Sequence, residues 1–227
     1  MNLPTLPSDS RLPRHHLVRV APPAWAVLMA SRKDLANEPL LDSWAHRGWP
    51  LIVRRRSPGE RGDASWVPLG LPLPPSAGKR RIAVQVQACH IASVSPLPQL
   101  CEVVTSAPQT WHPALQQLLA VGDHFGVQTR VFGSLAWQWL TGLDYLNQGS
   151  DIDLTWTLPR SERIEEFLGA VADIDATAPM RVDGELVLAD GTGVNWRELH
   201  ARSAEVMLKT ATDPLLCPRS QFLEPLA

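Results

Sequence analysis

The apolar positions change their spacing midway along the chain. In the first half they come in short runs broken by Pro, Ser or Gly, as in Ala24-Trp25-Ala26-Val27-Leu28 and Leu51-Ile52-Val53-Arg54, and these runs predict strands. Arg80-Arg81-Ile82-Ala83-Val84-Gln85-Val86 alternates apolar and polar residues and predicts another. Residues 66–74, Trp66-Val67-Pro68-Leu69-Gly70-Leu71-Pro72-Leu73-Pro74, carry three prolines, each lacking a ladder donor, so an edge strand or extended loop is expected there. Leu40 to Ala45 predicts a short helix.

The second half has longer periods. Pro113 to Phe125 predicts a helix with Leu115, Leu118, Leu119 and Gly122 on one face. A strand at Thr129–Phe132, a helix from Leu135 to Leu143 and a strand at Ile152–Trp156 are expected next. Ser161 to Val171 reads as a helix capped by Ser161, Arg181 to Leu188 as a strand, and Trp196 to Lys209 as a long final helix. Alternating strands and helices of this kind predict an α/β or α+β fold: a mixed sheet with flanking helices, preceded by a smaller strand-rich domain.

Charge supports a division in two. The 227 residues hold 21 Lys+Arg and 23 Asp+Glu, a net charge of -2. Residues 1–110 contribute 13 basic and 7 acidic groups, and residues 111–227 contribute 8 and 16. Of 21 prolines, 15 fall in the first part. The expectation is a basic, proline-rich N-terminal domain over 1–110 and a catalytic domain over 111–227, with the site between them. This balance disfavours nucleic acid as a partner, and no apolar run is long enough to span a membrane. Cys89, Cys101 and Cys217 lack CxxC spacing and, with no apolar leader at the start, suit a cytoplasmic protein.

The chemistry concentrates at Val131-Phe132-Gly133-Ser134 and Ser150-Asp151-Ile152-Asp153-Leu154. On a strand, residues two apart share a face, so Asp151 and Asp153 present neighbouring carboxylates. Two such anions repel unless one is protonated or a cation lies between them, and Mg2+ prefers hard oxygen ligands. Gly133-Ser134 fall where a strand passes into a helix, whose free N–H groups suit a phosphate. Either element alone is commonplace. Their order, strand then Gly-Ser then helix then Asp-x-Asp, points to phosphoryl or nucleotidyl transfer.

This pattern resembles the nucleotidyltransferase superfamily, although the sixteen residues from Leu135 to Ser150 exceed the spacing of its minimal members. A closer resemblance covers nearly the whole chain. It rests on Val131 to Gln138, Leu140-Thr141-Gly142-Leu143, Tyr145-Leu146, Ser150 to Leu154 and Val194-Asn195-Trp196-Arg197-Glu198. More loosely it includes Arg14 to Val18, Pro50 to Arg55, Leu69 to Pro74 and Lys79 to Ala83. These look like malonate decarboxylase holo-[acyl-carrier-protein] synthase, or phosphoribosyl-dephospho-CoA transferase. The resemblance implies transfer of the prosthetic group from 2'-(5''-triphosphoribosyl)-3'-dephospho-CoA to a serine of the malonate decarboxylase acyl carrier protein, with release of pyrophosphate.

On that reading Asp151 and Asp153 hold Mg2+, and Gly133 and Ser134 hold the distal phosphates. Superfamily members often add a third carboxylate on a later strand; Asp183 and Glu185 both qualify, and Asp183 is preferred. Lys209 and Arg197 are candidates for the triphosphate, against snorkelling for the first and helix capping around Asn195 for the second. Arg54-Arg55-Arg56 and Lys79-Arg80-Arg81 either dock an anionic partner or are solvated strand ends. Trp137, Trp139 and Trp156 are expected in the core, and the scattered histidines form no ligand set. Two rival readings are transfer to a citrate lyase carrier protein, and a non-catalytic module that binds donor or carrier.

Overall fold

The computed structural model of the protein describes residues 12–211 and 213–223. It divides into two compact units that meet in sequence at Pro96 and Leu97. The charge tally placed this boundary at 110. The intervening segment 97–111 has one charged residue, Glu102, so the tally passes over it, while its Leu97, Leu100 and Val103 are buried.

The first unit is a five-stranded antiparallel sheet. Its strands are β1 (Leu17–Val20), β2 (Leu51–Val53), β3 (Trp66–Pro72), β4 (Arg81–Gln87) and β5 (Ile91–Ser95), in the order β4-β3-β2-β1-β5. Two helices, α1 (Pro22–Ser31) and α2 (Pro39–Ser43), lie between β1 and β2 in the chain. α1 replaces the strand expected at Ala24–Leu28. Pro22 and Pro23 stand in its first turn, where a missing N–H costs nothing, and Trp25 is its buried anchor, donating to the Leu41 carbonyl at 2.7 Å.

β3 is an inner strand, not the expected edge. Neighbours in an antiparallel ladder bond alternate residues, and the parity here accommodates the prolines. The Leu73 N–H donates to Arg80 O on the β4 side, whereas Pro68 O accepts from Arg54 N on the β2 side. Odd-numbered residues therefore serve the long β4 ladder. Pro68 and Pro72 face β2, which is only three residues long and pairs just with Leu69 and Gly70.

The second unit opens with the short helix α3 (Leu100–Val103) and α4 (His112–Phe125), which ends at the left-handed Gly126. Then come β6 (Thr129–Phe132), α5 (Gly133–Thr141), β7 (Ile152–Thr157), α6 (Ile164–Thr177), β8 (Val182–Val187), β9 (Gly193–Asn195), α7 (Trp196–His200), β10 (Glu205–Lys209), β11 (Pro214–Pro218) and α8 (Arg219–Leu223). The strands form one sheet, β11-β10-β9-β8-β7-β6. All its pairs are antiparallel except β7–β8, which α6 connects as a crossover must. The fold is thus α+β, with a strand-rich N-terminal unit, as expected.

Two expected helices change. Ser161 opens a single 3-10 turn, its side chain lying outside the described residues, and the α-helix starts at Ile164. The helix expected over Trp196–Lys209 stops at His200, and Glu205–Lys209 becomes β10, paired with β11 along its whole length. Pairing outweighs the good helix propensity of Glu, Met, Leu and Lys.

Ile152, Leu154 and Trp156 of β7 and Val182 and Leu186 of β8 are buried in one core with Leu115 and Leu118 of α4 and Phe167, Leu168 and Val171 of α6. Trp137 and Trp156 are in the core as expected, but Trp139 is 40% exposed in the last turn of α5. Alternation sends Asp153 and Thr155, and Asp183 and Glu185, to the other face of the sheet.

Candidate active site

Three strands align the site. Phe132 at the end of β6 is opposite Asp153 on β7, and Asp153 is in register with Asp183 on β8. Asp151 lies just before β7. One oxygen from each of Asp151, Asp153 and Asp183 lies within 4.8 Å of the others, and all three residues are half-buried. The register thus brings Asp183, the preferred of the two β8 acids, and not Glu185, beside Asp153. Glu185 sits farther along β8, opposite Thr155 and Asn195, and is only 5% exposed. Its Oε1 accepts from Lys209 Nζ at 2.8 Å. Lys209 is therefore a strand residue serving as counter-ion to a buried carboxylate.

Gly133 begins α5 with φ of 67°. A Cβ built there would lie 1.7 Å from Asp153 Oδ2 and 2.5 Å from its Cγ. The glycine is required twice, for its left-handed backbone and because the carboxylate occupies the space of a side chain. Ser134 follows as the second residue of α5, at the end where backbone N–H groups lack intrahelical partners. Gly133 and Asp153 are thus in direct contact.

The loop between α5 and β7 is folded down by one amide. Gln138 Oε1 accepts from the N–H groups of Tyr145 and Leu146 at 3.1 and 3.2 Å, and its Nε2 donates to Ser106 O at 2.8 Å. Burial pushes the Tyr145 phenol well above its ordinary pKa, against the smaller opposing effect of a hydrogen bond with Thr141. The long spacing before Asp151 is an ordered feature.

Asn195 to Glu198 grip the start of β8 and strand β10. Asn195 Nδ2 donates to Asp183 Oδ1 at 2.9 Å, while its Oδ1 caps α7 by accepting from Arg197 N at 2.9 Å. Trp196 Nε1 and Arg197 Nη2 both donate to Val182 O, at 3.0 and 3.1 Å. Glu198 Oε2 accepts from Met207 N at 2.7 Å. Arg197, expected at the triphosphate, also pairs with Asp175 of α6 at 2.7 Å and stacks on Trp196. Its guanidinium is committed to α6 and β8, and is not brought to the carboxylates.

That tie has a pH signature. Burial would raise the Asp175 pKa, but hydrogen bonds from Arg197 and from Val182 N–H outweigh it and hold the carboxyl below its ordinary value. A depressed folded-state pKa stabilises above the unfolded value, about 3.9, and the benefit fades as pH falls through the folded one. Asp175→Asn should cost about 1–2 kcal/mol at pH 7, reduced by the partial exposure of Arg197, and the deficit should shrink toward pH 3. Urea melts at both pH values check this; a deficit independent of pH contradicts it.

The basic clusters are partly structural. Arg54 pairs with Glu60 and donates to Leu69 O at 3.1 Å, and Arg80 pairs with Glu38. Lys79 and Arg81 are exposed. Among the described residues no helix is long and apolar enough to cross a membrane.

The second unit is thus an α+β protein whose mixed sheet presents three clustered carboxylates against a glycine-led helix. Family comparison then gives the particular family. The model described as Phosphoribosyl-dephospho-CoA transferase MdcG C-terminal domain matches residues 99–220, and that of the MdcG N-terminal domain matches residues 13–96. A phosphoribosyl-dephospho-CoA transferase of Bradyrhizobium diazoefficiens is 44% identical over 223 residues, covering 98% of this chain and 97% of its own length. One from Xanthomonas campestris pv. campestris is 40% identical over 183 residues, covering 81% and 85%. One from Pseudomonas putida is 30% identical over 175 residues, covering 74% and 78%. No solved structure matches. The chain belongs to the phosphoribosyl-dephospho-CoA transferase family.

Proposed function

We propose that the protein is a Mg2+-dependent nucleotidyltransferase. It transfers the phosphoribosyl-dephospho-CoA group from 2'-(5''-triphosphoribosyl)-3'-dephospho-CoA to a serine of the malonate decarboxylase acyl carrier protein, releasing pyrophosphate. The observation that carries the proposal is the convergence of Asp151, Asp153 and Asp183 beside Gly133 in a chain of this family. Three carboxylates so close repel one another, and hard oxygen donors are what a divalent cation of this type takes, so the residues fit Mg2+.

Asp151, Asp153 and Asp183 would hold the ion. When bound, it offsets charge on the triphosphate and on the attacking and leaving oxygens. The chain's own residues supply the rest. The N–H groups at the start of α5, at Ser134 and Leu135, face the phosphates that leave as pyrophosphate, and the absence of a side chain at Gly133 lets them approach. The acceptor serine hydroxyl attacks the phosphorus attached to the ribose, in line with the departing pyrophosphate; the new O–P bond replaces the bond to pyrophosphate, and the hydroxyl proton passes to water. Lys209 neutralises the buried Glu185 carboxylate farther along the same sheet.

The test is to mix the purified protein with Mg2+, the triphosphoribosyl donor and either the malonate decarboxylase or the citrate lyase carrier protein. The expected result is a mass increase of the malonate decarboxylase carrier by the prosthetic group, with one pyrophosphate per modified serine. Modification of the citrate lyase carrier alone would reassign the acceptor. Donor binding without pyrophosphate release would identify a non-catalytic module.

A further inference from the structure

Asn195 closes β9 and opens α7, and its amide is used on both sides. The oxygen accepts from Arg197 N, and the nitrogen donates to Asp183 Oδ1, each at 2.9 Å. Chemistry fixes this orientation. A flipped amide would set its NH2 against a backbone N–H and its oxygen against a carboxylate, losing both bonds and adding two repulsions. Asp183 Oδ1 also accepts from Gly184 N at 2.9 Å. Two donors therefore hold one oxygen of the carboxylate, which restricts rotation of the group and leaves Oδ2 for another partner. The helix just beyond is itself fastened to β8 through Val182 O by Trp196 and Arg197.

Resting on the reading of Asp151, Asp153 and Asp183 as the cation-holding set, we infer that Asn195 is a positioning residue. It holds Asp183 so that Oδ2 is the oxygen offered to the cation. Hydrogen bonds of this kind behind a metal ligand typically change affinity 10- to 100-fold when removed.

The competing explanation is that Asn195 merely caps α7. Serine separates the two, because it caps helices about as well as asparagine but is too short to reach Asp183. In Asn195→Ser the melting midpoint should stay near that of the parent. Mn2+ affinity, read from loss of the free-ion electron paramagnetic resonance signal without substrate, should fall 10- to 100-fold. Turnover should recover as Mn2+ is raised. Asn195→Thr, another competent cap, replaces the serine variant if that protein melts early. Parent-like Mn2+ affinity in a folded cap variant, alongside weakened binding in Asp183→Asn, would overturn the role of Asn195 alone. Parent-like affinity in Asp183→Asn would overturn the cation-site reading and the inference with it.

Discussion

Replacing Asp153 by asparagine is expected to abolish transfer while leaving the fold intact. Asp153 is the middle carboxylate of the three, flanked in register by Phe132 on one side and Asp183 on the other. Asparagine has nearly the same shape, so the strand pairing and the contact with Gly133 persist. What is lost is the negative charge on which the proposed cation site depends. Stabilisation of transition-state charge by a bound divalent ion is worth several kcal/mol, so the rate should fall by roughly a thousandfold or more. The measurement is pyrophosphate release under saturating donor and carrier, with circular dichroism and thermal melting as controls. A folded Asp153→Asn protein that turns over near the parent rate would refute the cation role. Asp151→Asn should behave in the same way.

Gly133→Ala should be as damaging to activity through a different cause. Its φ of 67° costs an L-residue about 1–2 kcal/mol. The new methyl would also lie 1.7 Å from Asp153 Oδ2, closer than any two unbonded atoms can be. Either the carboxylate swings away or the start of α5 shifts, and both separate the N–H groups at the start of α5 from the carboxylate. The expectation is a modest fall in melting temperature together with loss of nearly all turnover. Full activity with unchanged stability would mean that the bend and the carboxylate do not work as a unit. The two variants complement each other: one changes charge at constant shape, the other changes shape at constant charge.

Much of this site was legible from the chain because its parts are local. Asp151 and Asp153 are two residues apart, and Gly133-Ser134 mark a strand-to-helix junction that composition alone suggests. Asp183 was preferred over Glu185 as the third carboxylate, although both alternate onto the same face. Only the parallel pairing of β7 with β8, set by the α6 crossover, puts Asp183 beside Asp153 and Glu185 beside Thr155. The roles of Asn195 and Arg197 depend likewise on contacts with β8 and α6, which no spacing reveals. In the first unit, Ala24–Leu28 is apolar on every side, so a helix and a strand fit it equally. The prolines of β3 argued for an edge because the length of its neighbour β2 is not written in β3 itself. The basic clusters of the first part left a docking face and solvated strand ends as alternatives, and in the structure Arg54 and Arg80 are engaged by Glu60 and Glu38.

The alignment of Phe132, Asp153 and Asp183 across adjacent strands bears on how such a chain can change length. An extra residue between Gly142 and Ser150 lengthens a turn and leaves the ladders as they are. An extra residue inside β7 would exchange its two faces, turning the acid toward Phe167 and the leucine toward water. Insertions and deletions compatible with catalysis are therefore confined to the connections, and the spacing from Ile152 to Trp156 is fixed by geometry even where individual side chains could be exchanged.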